Sequence, residues 1–239
     1  LFLRKAQQQR IHAPDSALLS LQEALRISRV LQYEEGIAGS LLSKAFCYLD
    51  IGDYPRSKKI LSEAYTHCQK ASLNNKRILP SFYNGWGSTY SGLGNNDSAL
   101  HFFYKAITVL EKTVSGDSSL LGQIYNNAGT AWLQKGEFDK ALDYFSKAEV
   151  ILSRTKDSIS LGNTYCNIGL VRLERKDTAG SLTYLQKALQ LFSAKNNSHG
   201  IKFTFYALAR AQQHLHLARK YYEAALEIDS TSAFAAGVY

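Results

Sequence analysis

Residues 85–94 crowd Gly85, Gly87, Gly92 and Gly94 into ten positions, a density that suggests a loop built to cradle phosphate. Such a loop needs a lysine and a hydroxyl straight after the second glycine of G-x-x-x-x-G, the first to neutralise phosphate and the second to hold magnesium. Gly87 and Gly92 set the spacing, but Leu93 and Gly94 follow. The dinucleotide pattern G-x-G-x-x-G meets Tyr90 at its third glycine, and no strand pattern leads into it. His214 and His216 are two apart on an expected helix and point to different faces, whereas a helical metal pair needs a separation of four. His67 and Cys68 are adjacent and also diverge, with no third residue to orient them as a nucleophile and base. Glu34, Glu35 and Asp139 fall at expected connectors and caps, and no G-x-S-x-G elbow occurs. The expectation is a chain with no catalytic residues, no cofactor and no metal.

Composition narrows the class further. The 239 residues are 45% hydrophobic and 20% charged, with three prolines, which suits a folded and mostly helical chain. No apolar run approaches the roughly 20 residues that span a bilayer, so no membrane segment is expected. The chain opens at Leu1 and holds no methionine, so an excised segment or a sequence with residues dropped is the expectation. Cys47, Cys68 and Cys166 are odd in number and lack C-x-x-C spacing, so they read as packing residues rather than disulfides or zinc ligands. The net charge of +8 has no run of five basic residues behind it. Its densest cluster, Lys70, Lys76 and Arg77, falls in an expected connector, so a diffuse positive surface is expected and nucleic-acid binding is not.

The glycine stretch is one of a set. Moved 42 residues forward, it falls on residues 127–142, with Gly87 on Gly129, Tyr90 on Trp132, Gly94 on Gly136 and Ala99 on Ala141. Small residues recur at Ala24, Ala64, Ala106, Ala148, Ala188 and Ala225, spaced by 40, 42, 42, 40 and 37. Self-similarity at this period marks a solenoid, in which no unit buries its own face and each stacks on its neighbours. Within a unit, Tyr125, Ala128, Gly129 and Trp132, then Ala141, Leu142, Phe145 and Ala148, give two amphipathic helices. Glycine at Gly52, Gly94 and Gly136 suits a left-handed end to the first helix, and Asp97 or Asp139 suits a cap on the second. The glycines at Gly85 to Gly94 therefore serve helix packing and a helix–helix turn.

These spacings resemble the tetratricopeptide repeat. Residues 125–148 match its pattern at Tyr125, Gly129, Trp132, Ala141, Phe145 and Ala148, and residues 83–106 match at Tyr83, Gly87, Tyr90, Ala99, Phe103 and Ala106. The unit from 165 to 188 departs from it at Arg172 and Ser181, and the last unit is three residues short between Arg210 and Ala218. The repeat length of about 40 is similar to the longer subclass in kinesin light chains, Rap-type regulators and bacterial sensory regions. The resemblance implies an all-α right-handed solenoid of about six helix pairs over residues 1–231, in repeats near 1–33, 37–75, 79–115, 121–157, 161–197 and 199–229, with a tail at 232–239. It also implies protein or peptide binding without catalysis, either as a scaffold or as the regulatory region of a longer signalling protein.

In that register the second, fifth, ninth and twelfth positions of each first helix line the concave face. They are Gly39, Leu42, Phe46 and Leu49; Ser81, Asn84, Ser88 and Ser91; Gln123, Asn126, Thr130 and Leu133; Asn163, Cys166, Leu170 and Leu173; and Phe203, Tyr206, Arg210 and Gln213. The middle is polar but uncharged. Asn84, Asn126 and Asn163, with the adjacent Asn127 and Asn167, carry donors and acceptors that suit the backbone of an extended peptide. The same asparagines suit bridges between neighbouring helices, and both readings stand. Apolar anchors would enter near Phe46 and Tyr206, and Arg210 would meet a carboxylate. The lysines of a clamp for an acidic peptide terminus are missing from this floor. The terminal units, exposed at the ends of an array, offer a route to homo-oligomers.

Overall fold

A computed structural model describes residues 14–71, 78–112, 118–212 and 215–235. Every regular element among them is an α-helix. The chain divides into two compact units, Leu1–Gly116 and Asp117–Tyr239. The first holds α1 (Pro14–Val30), α2 (Glu34–Asp50), α3 (Tyr54–Lys70), α4 (Leu79–Gly92) and α5 (Asn96–Glu111). The second holds α6 (Ser118–Gln134), α7 (Phe138–Leu152), α8 (Ser158–Glu174), α9 (Thr178–Ala194), α10 (Ser198–Ala211) and α11 (Leu215–Ala235). Consecutive helices pair as α2/α3, α4/α5, α6/α7, α8/α9 and α10/α11. The leading helix expected in the first repeat lies outside the described residues, as do Lys76, Arg77, Gln213, His214 and the chain end beyond Ala235.

One turn recurs inside the pairs. Gly52, Gly94 and Gly136 have φ of 78°, 76° and 76°, and Lys176 takes the same place at 63°. The next amide reaches back over six residues: Asp53 N–H to the Tyr48 carbonyl at 2.8 Å, Asn95 to Tyr90 at 2.9 Å, Glu137 to Trp132 at 3.0 Å and Asp177 to Arg172 at 2.8 Å. Those bonds satisfy carbonyls that the helix end would otherwise leave open. That same residue then caps the following helix, since Asp53, Asn95 and Asp177 accept from the amides of Arg56, Ser98 and Gly180. The caps therefore lie two residues before Asp97 and Asp139, because the left-handed residue has already turned the chain. Asp97 and Asp139 sit in the first turn instead, where a carboxylate complements the helix dipole.

The small residues of the repeat make room for large ones. A methyl group added at Gly129 would stand 2.6 Å from the Phe145 ring, and one at Gly87 would strike Phe103. Both rings are buried, at about 2–3 kcal/mol of transfer free energy each. The unit that departs from the repeat pattern keeps the geometry by other means. The Arg172 guanidinium lies 5.2 Å from the Tyr184 ring centroid and donates to Asp177 at 2.6 Å, filling the place that Tyr90 and Trp132 occupy elsewhere. Ser181 is buried in the alanine position with no partner for its hydroxyl.

Candidate functional site

In the second unit the first helices of successive pairs touch, α6 with α8 and α8 with α10. Their facing stripes carry Asn126 and Thr130, then Asn163 and Asn167, then Tyr206 and Arg210. Each couple is four apart, which keeps both side chains on one side of its helix. Asn167 Nδ2 donates to Asn126 Oδ1 at 3.0 Å and to Thr130 Oγ1 at 3.3 Å, joining α8 to α6. Thr130 Oγ1 in turn donates to the Asn126 carbonyl at 3.1 Å. These contacts occupy one end of each amide. Asn126 Nδ2 and Asn167 Oδ1, a donor and an acceptor at half-buried positions, take no part in the bridge. Asn163, one turn before Asn167, is exposed, and Asn127 is half-buried.

A second polar knot lies at the start of the same seam. Asp157 caps α8 through its Oδ1, which accepts from Ser160 N–H at 3.0 Å. Its Oδ2 accepts from Ser119 Oγ at 2.6 Å and from Gln123 Nε2 at 2.8 Å, both on α6. Burial alone would push this carboxyl up, but the hydrogen bonds from Ser119, Ser160 and Gln123 outweigh it and hold Asp157 below the usual carboxylate range. Asp157 escaped the repeat register because it precedes the helix. The D-S-x-S run at 157–160 is nevertheless a legible cap signal.

At the far side, Tyr206 is half-buried with its ring 5.9 Å from that of Tyr222, and Arg210 is exposed and donates to Glu174 at 2.9 Å. That pair joins α10 to α8 and reduces the positive charge that Arg210 presents. Phe203 is exposed on the same helix, whereas Cys166 is buried and its thiol is pushed up by burial to about 11.

The matching positions of the first unit are packed. Leu42 belongs to the buried cluster with Leu61 and Phe82, and Phe46 packs against it. A methyl at Gly85 would lie 3.0 Å from Leu61 and 3.7 Å from Phe46. Asn84 is buried and Ser88 half-buried. The structure thus groups Asn126, Asn127, Thr130, Asn163, Asn167, Tyr206 and Arg210 in the second unit, and keeps Leu42, Phe46, Asn84 and Ser88 in the first.

Of the two pairs considered for catalysis, one includes His214, which lies outside the described residues, and the other has a structural setting. His67 Nδ1 lies 2.5 Å from Glu34 Oε2, joining the last turn of α3 to the first of α2, and burial pushes the neighbouring Cys68 thiol up. No group of three His, Cys, Asp or Glu side chains among the described residues is placed to hold a metal ion. No described helix is long and apolar enough to cross a membrane.

Residues 77–152 match the tetratricopeptide repeat family. No curated protein matches the sequence. Among solved structures, the chain is similar to a Rap protein complexed with Competence and Sporulation Factor, with 15% identity and a TM-score of 0.77 over 97% of this chain and 64% of that one. It is similar to BtubC (BKLC) from P. vanneervenii, with 18% identity and a TM-score of 0.68 over 95% of this chain and 93% of that one. A third is a signal transduction ATPase with numerous domains and a tetratricopeptide repeat sensor from Pyrococcus horikoshii, with 17% identity and a TM-score of 0.68 over 96% of this chain and 35% of that one. The chain spans less than two thirds of the Rap and ATPase chains. At these identities the likeness establishes a shared fold.

Proposed function

We propose that this chain, a tetratricopeptide-repeat protein, binds an extended peptide or protein segment without catalysing a reaction, along the stripe formed by α6, α8 and α10. The observation that carries the reading is the half-used pair of amides: the bridge from Asn167 to Asn126 employs Asn167 Nδ2 and Asn126 Oδ1 and leaves the other polar atom of each amide outside it. A peptide backbone offers one acceptor and one donor per residue, so it complements such a pair whatever its sequence. Asn163 extends the polar stripe, and Phe203 and Tyr206 offer apolar contact at its far side. The bridge also pre-orients both amides, which lowers the ordering cost that binding must meet.

A random-sequence peptide library displayed on phage tests this directly. Peptides enriched on the wild-type chain should bind Asn163→Ala/Asn167→Ala at least about tenfold more weakly, a loss of ~1.4 kcal/mol. Enrichment of nothing, or equal binding by a variant that keeps its helical circular dichroism, would remove the reading.

A second reading is favoured by chain length. Two of the similar folds form part of longer chains, one of them with a sensor as its repeat region. In that reading the stripe is the sensing surface of a longer regulatory protein. A gene whose product ends near Tyr239 would rule it out.

A further inference from the structure

In the first unit, α3 and α5 both pack on α4 and do not touch each other, so a groove floored by α4 runs between them. This groove departs from the repeat. In the second unit the equivalent positions of α7 and α8 hold Leu142 and Ile168, which meet in one apolar cluster with Val171. Lys58 and Trp86 take those places two repeats earlier. Lys58 is exposed, with its ammonium 5.0 Å from the Tyr90 ring centroid. Trp86 is half-buried and stands between Tyr65 of α3 at 4.9 Å and Phe102 of α5 at 5.5 Å. An aliphatic seam has become a cation beside an indole at the surface.

The opposite wall carries a second cation that the repeat elsewhere neutralises. Lys105 of α5 lies 5.9 Å from the Tyr83 ring and 5.7 Å from the Phe102 ring. Its counterpart Lys147 lies over Tyr125 and Tyr144 in the same way, at 6.0 and 5.0 Å, but donates to Asp143 at 2.7 Å. His101 stands where that aspartate would be. Among the described residues neither Lys58 nor Lys105 pairs with a carboxylate. Ser62 shares the Lys58 side of α3 by helical spacing, whereas Glu63 pairs with Arg29 of α1 at 3.2 Å.

Two lysines held over rings, with an indole between the walls, complement two carboxylates separated by an apolar side chain. Tyr83 and Tyr90 are seven residues apart, about 10 Å along α4 at ~1.5 Å per residue. An extended segment covers that distance in about three residues at ~3.3 Å each. Nucleic acid fits less well, because bases need open ring faces and Phe102 is already stacked on Tyr90 at 7° between planes. We propose that the α3/α5 groove docks an extended acidic segment of a partner protein. Two carboxylates three residues apart meet Lys58 and Lys105, and an apolar side chain between them rests on Trp86. The groove shares no residue with the asparagine stripe, and the proposal does not rest on it.

The test titrates a peptide containing Gly-Glu-Leu-Phe-Glu-Gly into the full chain carrying Trp132→Phe, which leaves Trp86 as the only tryptophan. Its emission should shift saturably, and added salt should weaken the binding. Lys58→Glu/Lys105→Glu, two changes at exposed positions, should weaken binding at least about tenfold with unchanged circular dichroism. That variant should instead bind the peptide with lysine in place of each glutamate. Asn163→Ala/Asn167→Ala should bind the acidic peptide as the parent does, which separates this groove from the stripe. An emission unchanged up to about 1 mM peptide would overturn the proposal. Equal binding by the charge-reversed variant, or tighter binding of a single-stranded oligothymidylate, would overturn it too.

Discussion

In the first unit the seam between α2 and α4 is apolar: Leu42 lies in the cluster with Phe82, and Phe46 and Leu61 close on Gly85. In the second unit the seam between α6 and α8 is polar, held by Asn167 on Asn126 and Thr130 and by Ser119 and Gln123 on Asp157. The two seams occupy equivalent places in the repeat and hold similar helices together. The apolar one gains from removing area from water, a contribution that ignores direction and protonation. The polar one gains little net free energy per bond but fixes orientation, and it leaves Asn126 Nδ2 and Asn167 Oδ1 outside the bridge. In the proposed function, the difference separates a seam that supports the fold from one that also meets a peptide.

The largest effect should come from the apolar seam. Leu61→Ala removes a fully buried side chain that Gly85 packs against and should cost about 2–5 kcal/mol, equally at pH 5 and pH 8, in chemical denaturation. Gly129→Ala tests the packing common to both units, since the added methyl meets Phe145 at 2.6 Å; overpacking of this kind costs about 1–3 kcal/mol.

The polar seam should respond differently. Asp157→Asn should cost about 1–2 kcal/mol at pH 7, in line with hydrogen bonds to a charged group. Because the folded carboxyl lies below its unfolded value, its contribution is complete above about pH 4 and fades as pH falls through the lower folded value. The deficit of Asp157→Asn against wild type should therefore shrink on acidification, and a deficit constant down to pH 2 would mean that the carboxylate charge is not what holds the seam. The smallest effect belongs to Lys147, an exposed side chain paired with Asp143 at 2.7 Å and placed 5.0 Å from the Tyr144 ring. Lys147→Gln should change stability by less than about 0.5 kcal/mol.

Much of the architecture is legible in the sequence because it rests on glycine and alanine at fixed intervals. Gly52, Gly94 and Gly136 mark the turns, and Gly87 and Gly129 mark where Phe103 and Phe145 must fit. Lys176 shows the limit, since it adopts the same left-handed conformation with no glycine to announce it. The N-cap positions slip by two residues, from Asp97 to Asn95, which accepts from Ser98 N–H, and from Asp139 to Glu137, whose side chain makes no cap bond, because several polar residues crowd each turn and composition does not rank them. The candidate stripe is legible in part. Helical periodicity puts Asn126, Asn163 and Asn167 near one side of their helices, but whether an amide faces a neighbouring helix or solvent depends on how the helices meet. The Arg210–Glu174 pair was similarly hidden, because it joins residues 36 apart in repeats of about 40, one turn out of register.

The most direct test follows the asparagine side-chain amides of ¹⁵N-labelled protein by nuclear magnetic resonance during titration with a peptide selected on the wild-type chain. The account predicts saturable shifts at Asn126, Asn163 and Asn167 with none at Asn84, which is buried in the first unit. Shifts confined to residues of the second helices α7 and α9, with the three asparagines unmoved, would contradict it.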